Sequence, residues 1–225
     1  MAPHLERVTV DRKGTLFRSH ECLRHVYFPA TAIVSLVVTL HSGETLEVGL
    51  TGRDGLTGAV ALPDVGSMPC DGIVQCAGIA YRINASLFRQ ALRNFDPLAA
   101  AVRRYAHLLL MRSMQLHVCS VFHPIGQRLT RWLLTVSDLR GSSDIPLTHE
   151  LLATMLGVRR ATVTLAVGEL KRAGLIDENR GRITIRDRGR LETACCRCYR
   201  LMCEQQEELL GYSCTAAATN YVETQ

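Results

Sequence analysis

Ala153, Gly157 and Val163 stand at fixed offsets between two short stretches of helical periodicity, and that spacing constrains the fold more than any other feature. A small residue lets a second helix cross the first closely, a glycine permits a tight turn, and an aliphatic residue anchors the second helix in the core. Thr148 precedes Leu151, Leu152, Met155 and Leu156, so it reads as an N-cap, and Glu150 in the first turn suits the helix dipole. Arg160 to Ala173 repeats a helical pattern in which Val163, Ala166, Val167 and Leu170 face inward. A helix-turn-helix is therefore expected between Thr148 and Ala173. Its outward face carries Ala161, Thr164, Leu165, Gly168 and Arg172, with Arg159 and Arg160 at the start of the helix. Small central side chains let such a helix approach base edges, and Leu165, a poor solvent residue, suits a thymine methyl group. Gly174 closes the helix. Leu175, Ile176, a polar turn over Asp177 to Gly181, and Ile183 with Ile185 then read as a wing, whose Arg180 and Arg182 suit backbone phosphates. The expected partner is double-stranded DNA; the competing reading is a helical pair used in packing or protein contact.

Upstream, the chain changes character. From Tyr27 to Ile83 the pattern is short and β-like: Leu36, Val38 and Leu40 alternate, as do Leu46, Val48 and Leu50, with Ser42-Gly43 as the turn of a hairpin. Turn signals follow at Gly52 to Gly58 and Pro63 to Gly66, then a third alternation in Ile79, Tyr81 and Ile83. After Asn84 the period becomes helical in Leu87, Phe88, Ala91 and Leu92, and a longer helix is expected from about Pro97 to Val121. Within it Leu98, Val102, Tyr105, Leu109, Arg112, Leu116 and Cys119 form a heptad seam in which Arg112 is out of character. A second stripe, Ala101, Leu108, Met111, Met114 and Val118, widens the apolar surface, so one face is expected on the β-domain and another on a second subunit. Leu98, Val102, Tyr105, Leu109 and Leu116 are assigned to that dimer interface; a single buried helix in a monomer is the alternative. His123-Pro124 breaks the helix, Leu129, Trp132, Leu133 and Val136 mark another, and Arg140 to Pro146 reads as a loop.

The expected class is α+β: an N-terminal antiparallel β-roll of double-stranded β-helix or jelly-roll type, a long dimerisation helix and a C-terminal winged helix-turn-helix. The corresponding domains are 1–92, 93–122 and 123–190, with a C-terminal helix and tail at 191–225.

Composition narrows the function. Hydrophobic residues at 47% and charged residues at 21% support a packed core, and 26 Lys and Arg against 21 Asp and Glu is a mild excess that suits nucleic acid without requiring it. Nine scattered cysteines, an odd count, do not form a secreted disulfide framework, and no secretory signal or bilayer-spanning run is read, so a reduced cytoplasmic location without membrane partners is expected. The amino terminus starts close to the expected β-roll and leaves little room for a leading helix, so a true start upstream of Met1 is left open. Cys195, Cys196, Cys198 and Cys203 crowd into the last expected helix, where zinc binding, cluster binding or redox sensing competes with simple packing. Cys195, Cys198 and Cys203 on one continuous helix cannot enclose an ion alone, so no metal or other cofactor is assigned. The eight histidines show no ligand spacing, and no nucleophile motif or phosphate-binding loop appears, which argues against an enzyme.

Leu147 to Ala153, Gly157 to Val163 and Ala173-Gly174-Leu175-Ile176 together resemble the winged helix of the Crp/Fnr family of bacterial transcription regulators. The order of β-roll, long helix and winged helix agrees. The resemblance implies a homodimer on a two-fold operator, and contact with RNA polymerase if the protein activates. Of the family's familiar recognition pattern, Arg160 and Thr162 carry over while Ala161 and Leu165 depart from it, so a different operator is expected. Cyclic-nucleotide-binding members carry a Gly-Glu pair and an Arg beside Ser or Thr; the corresponding stretches here are Gly55-Leu56-Thr57-Gly58 and Gly66-Ser67-Met68-Pro69-Cys70. Neither charge is present, so cyclic AMP is not expected as the effector. Only Cys22 stands where iron-sulfur members carry a cysteine cluster, which argues against that cluster. Another protein or a small metabolite as the β-domain's ligand remains a third reading.

Overall fold

The computed structural model describes residues 2–58 and 66–214, so Pro63 to Val65 of the expected turn and the tail beyond Cys214 lie outside the described residues. After a 3-10 turn at Ala2–His4, the described residues form seven strands: β1 (Glu6–Val10), β2 (Thr15–Phe17), β3 (His25–Pro29), β4 (Ile33–Thr39), β5 (Thr45–Thr51), β6 (Asp71–Cys76) and β7 (Gly78–Asn84). They form two antiparallel sheets, β1-β7-β3 and β2-β6-β4-β5. β1 and β2 precede the region whose alternation reads clearly as strand, because their outward residues hide the pattern; only Val10 and Phe17 of these strands are fully buried.

The β4–β5 hairpin forms where expected, but its apolar phase does not hold throughout. A bulge between Leu36 and Val37 shifts the register, leaving Val38, Leu40 and Leu46 exposed. The inner end of β4 is buried on both faces. Leu36 packs inside the roll with the long helix, whereas Ile33 and Val37 pack outward against the C-terminal half of the chain.

Three helices follow: α1 (Ala85–Asn94), α2 (Asp96–Phe122) and α3 (Ile125–Arg140). Asn84 caps α1 by accepting from the Ser86 N–H, and Pro97 opens α2, where a missing N–H costs nothing. Most of the heptad seam of α2 packs inside the chain. Val102, Tyr105 and Leu109 are buried against Phe17, Leu36, Leu56 and Met68 of the β-roll, and Leu98 packs at the edge of the same cluster. Leu116 is half-buried in a cleft with Leu46 and Met155. The reason is that the roll offers this seam a continuous apolar wall. Gly55 packs so closely under the Tyr105 ring that a Cβ there would sit 1.9 Å from it.

Arg112 is explained by the same placement. Its guanidinium pairs with Asp54 at 2.7 Å, both side chains being buried, and also donates to the Gln206 side chain. The apolar residues that α2 leaves exposed are Leu110, Met114, Val118, Val121 and Phe122.

The C-terminal half contains β8 (Asp144–Pro146), α4 (His149–Leu156), α5 (Arg160–Arg172), β9 (Ile176–Asn179), β10 (Arg182–Ile185), α6 (Arg188–Ala194) and α7 (Arg197–Leu210). The segment expected as a loop over Arg140 to Pro146 contains β8, which adds to β10 as the third strand of the wing sheet β8-β10-β9. Three residues are too few to show a period. Leu129, Trp132, Leu133 and Val136 of α3 are all buried.

The β-roll and the C-terminal half share one core, and a buried acid marks the joint. Glu47 of β5 accepts a hydrogen bond from the Ser35 hydroxyl at 2.5 Å and from the Trp132 indole N–H at 2.9 Å. Burial pushes its carboxyl up to about 7, against the two hydrogen bonds and the charge of Arg131, which pull it down. The site accepts the neutral acid, so its stabilising contribution is whole below the ordinary value of 4.5 and is lost as the pH rises through about 7. In Glu47→Gln the amide oxygen still accepts from the Trp132 indole N–H, and the amide NH2 donates to the Ser35 hydroxyl oxygen, without a charge. Thermal melts of wild type and variant from about pH 5 to about pH 8 should therefore diverge, the variant gaining by up to about 3 kcal/mol at the alkaline end. Parallel melting curves across that range would show that Glu47 titrates normally.

Candidate nucleic-acid interface

Thr148 caps α4 as its position requires, its hydroxyl accepting the Leu151 N–H at 3.3 Å. Leu152, Ala153, Met155 and Leu156 are buried, so α4 presents its apolar side to α3 and β5. Gly157 then adopts a left-handed conformation, φ +62°, and the Val158 N–H reaches back to the Ala153 carbonyl at 3.0 Å. This is the helix-ending arrangement that glycine adopts without strain. The chain turns by 110° into α5, within the range for helix-turn-helix pairs.

On α5, Val163, Ala166, Val167 and Leu170 are buried, while Ala161, Thr164, Leu165 and Arg172 are exposed and Gly168 is partly so. Leu165 keeps 70% of its surface open, much for a leucine. Arg159 and Arg160 are exposed at the start of α5, and Thr162 is half-buried. Arg160 lies 3.9 Å from Glu150, a loose surface pair that holds it weakly.

Thr164 is less available than its outward position suggests. Its hydroxyl contacts the Arg160 carbonyl at 3.1 Å and His149 Nδ1 at 2.9 Å. His149 Nε2 in turn lies 2.8 Å from the Glu178 carboxylate on β9. One imidazole thus ties the first helix of the motif to the second and to the wing. Sequence reading passed over His149, although its place beside the N-cap at the start of α4 is where such a clamp can form.

The wing turn is tighter than the polar run from Asp177 to Gly181 suggests. Asp177 to Asn179 belong to β9, and only Arg180 and Gly181, both at positive φ, make the turn. That is the two-residue geometry favoured between twisted antiparallel strands. Arg180 is exposed at the tip and makes no ion pair among the described residues, whereas Arg182 is paired with Asp144 at the surface. Arg186 pairs with Asp177 at 2.5 Å.

The residues expected to bear on metal binding are only partly brought together. The last helical region is broken: α6 ends at Ala194, Cys195 and Cys196 are extended, and α7 starts at Arg197. The premise of one continuous helix is corrected accordingly. Cys198 joins Cys196, Cys119 and His123, while Cys203 faces Cys214 and Asp138, and Cys195 packs beside the first group.

In the β-roll, a groove of about 500 Å³ lies between the sheet and α2, with Leu36, Val48, Met68, Leu109 and Leu110 in its walls. No carboxylate, guanidinium or ammonium group lines it among the described residues.

A family profile described as a Crp-like helix-turn-helix domain matches residues 127–194, which span α3 to α6. The similarity to solved regulators extends over most of the chain. The CRP-family regulator TTHB099 of Thermus thermophilus is 19% identical, with 84% of this chain and 95% of that one covered and a TM-score of 0.66. FixK2 of Bradyrhizobium japonicum is 16% identical, covering 85% and 98% with a TM-score of 0.66. The chain has the Crp/Fnr regulator fold. CLP of Xanthomonas campestris, a c-di-GMP-responsive global regulator, shares this fold at 15% identity, covering 82% and 95% with a TM-score of 0.61. Among curated proteins no sequence matches significantly. No single helix of the described chain is long and apolar enough to cross a membrane.

The turn of the Crp-like motif depends on Gly157. A Cβ there would stand 2.9 Å from Leu46 Cδ1 in a conformation that branched side chains resist. Gly157→Val should lower stability by about 1–3 kcal/mol. Gly157→Asn should lose less, because asparagine tolerates the left-handed region better. Thermal denaturation of the pair checks the order, and equal losses would show that crowding against Leu46, and not backbone conformation, decides.

Proposed function

We propose that this protein is a homodimeric transcription regulator that binds a two-fold duplex site by laying α5 in the major groove. One observation carries the reading: α5 buries its aliphatic side completely while leaving an arginine-flanked face with Leu165 open to solvent. Arg159 and Arg160 stand at one end of that face and Arg172 at the other. Thr162 and Leu165 lie between, in reach of base edges, with Leu165 against a thymine methyl. Thr148, at the N-terminus of α4, and Arg180, at the wing tip, contact phosphates. Arg182 contributes only by exchanging Asp144 for a phosphate, and Thr164 acts first through its bond to His149.

Dimerisation belongs to the face of α2 that the chain leaves open. Leu110, Met114, Val118 and Val121 repeat at intervals of four, four and three residues along it, a row that pairs with its own copy across a two-fold axis. The expected seam of Leu98, Val102, Tyr105, Leu109 and Leu116 is already occupied by the β-roll and the cleft beside β5, so it does not serve.

The effector is not cyclic AMP. The groove beside α2 has mainly apolar walls, with His107 and Ser113 as polar members but no guanidinium or carboxylate among the described residues for a cyclic phosphate or ribose, and Leu56 and Met68 stand buried in the two stretches where the nucleotide's partners would be. An apolar or weakly polar ligand fits that lining. Calorimetry at micromolar cyclic AMP should register no binding.

Selection and sequencing of genomic fragments bound by the full chain gives the operator, and titration on that duplex tests the face. Leu165→Ala should weaken binding and relax preference at one A·T position, by about 1–3 kcal/mol. Arg180→Ala should weaken all duplexes alike and reduce the salt slope by about one. Unchanged affinity and preference in both variants would refute the assignment. Met114→Glu should convert dimer to monomer in sedimentation, with loss of two-fold site binding.

A further inference from the structure

Four ligand-bearing side chains meet at the joint between α2, α3 and α7. Cys119 and His123 are one helical turn apart at the end of α2, so they share a face; Cys196 and Cys198 flank the start of α7. Their ligand atoms all lie within 4.8 Å of one another, three of the residues being buried and His123 partly so. From these contacts the geometry points to a tetrahedral metal site, with Cys119, Cys196, Cys198 and His123 holding a thiophilic divalent cation, zinc foremost.

The distances suit one ion. Cys119 Sγ and Cys196 Sγ are 3.6 Å apart, and Cys198 Sγ lies 3.5 Å from His123 Nδ1. A tetrahedron with zinc-sulfur bonds of about 2.3 Å and zinc-nitrogen bonds of about 2.0–2.1 Å separates sulfur pairs by about 3.8 Å and sulfur from nitrogen by about 3.6 Å. A disulfide would need the sulfurs at about 2.05 Å. An iron-sulfur cube, with irons at separate corners, spreads its ligands farther than this set allows. The pairing of two ligands from a helix end with two from a nearby helix start is also how structural zinc sites are enclosed, by short segments converging from different parts of the chain.

The surroundings support a thiolate-bound ion. Three thiols lose their protons to solvent as the ion binds and the imidazole binds neutral, so the centre carries one net negative charge. Arg131 and Arg128 are near enough for their charges to act on or respond to Cys119, and buried Arg131 has an Nε without a hydrogen-bond partner among the described residues. The Gln115 amide points an N–H at Cys198 Sγ at 2.9 Å, the kind of outer hydrogen bond that orients a ligand sulfur. By contrast, Asp138, Cys203 and Cys214 offer one ligand fewer, and Asp138 is engaged with Arg188 and Tyr199. The ion would cross-link the His123-Pro124 joint, where the Crp-like domain leaves α2, to the helix that follows that domain.

The test uses full-length protein made with zinc in the medium and purified reduced, without chelator. Elemental analysis should find stoichiometric zinc, and cobalt exchanged for it should show the visible spectrum of a tetrahedral thiolate complex. Cys196→Ser and His123→Ala should each lower zinc retention at least about tenfold, whereas Cys203→Ser should retain it. Circular dichroism establishes that each variant is folded, and cobalt binding to the wild type stands independently of them. Absence of both zinc and the cobalt spectrum, full retention in Cys196→Ser, equal loss in Cys203→Ser, or iron with acid-labile sulfide would each overturn the assignment. No readout involves DNA, so this result is separable from the duplex-binding proposal.

Discussion

The buried pair of Arg112 and Asp54 holds the architecture together because it gathers three parts of the chain at one point. Arg112 comes from the middle of α2, Asp54 from the loop after β5, and Gln206, which accepts from the same guanidinium, from α7. Tyr212 donates its hydroxyl to the Asp54 carbonyl at 2.9 Å, and the Tyr105 hydroxyl lies 3.3 Å from that of Thr51 next to the same loop. A charge removed from water is tolerated only when its partners are in place, and loss of one typically costs about 3–5 kcal/mol. The pair therefore fixes the rotation of α2 about its axis. Once that rotation is set, Tyr105 and Leu109 face the roll, and Leu110, Met114, Val118 and Val121 face away.

A second constraint follows from how the β-roll meets the Crp-like domain. Ile33, Val37 and Leu50 share one apolar cluster with Trp132, Leu133, Leu156 and Val163, so the β-sheet and the helix-turn-helix are parts of one packed body. Glu47 and Trp132 make the polar link across it. The β4–β5 turn reaches toward the start of α5, where Glu44 and Arg160 line one cleft, yet the outer face of α5 stays open.

Much of this was legible in the sequence wherever a local rule sufficed. Thr148, Gly157 and the spacing of Val163, Ala166, Val167 and Leu170 prescribe the helix-turn-helix because capping, a left-handed turn and a helical stripe depend on nearby residues alone. The length of α2 and the Ser42-Gly43 hairpin were readable for the same reason. The short strands β1, β2 and β8 were not, since three to five residues with mixed polarity carry no period. His149 escaped notice because its role needs Thr164 and Glu178, one of them on the wing.

Sequence alone determined which of the longer segments are helix or strand, and that an arginine-flanked helix would follow Gly157, because those are properties of neighbours along the chain. It determined that α2 carries more apolar surface than one partner needs, but not which residues stay open: Leu108 of the second stripe is buried, while Leu110 and Val121, which belong to neither stripe, are exposed. Tertiary structure decided that, through a charge pair 58 residues apart in sequence. It also brought Cys119 and His123 to Cys196 and Cys198, across 77 residues between the two facing thiols. Contacts of that range depend on how the whole chain closes, and no local pattern encodes them.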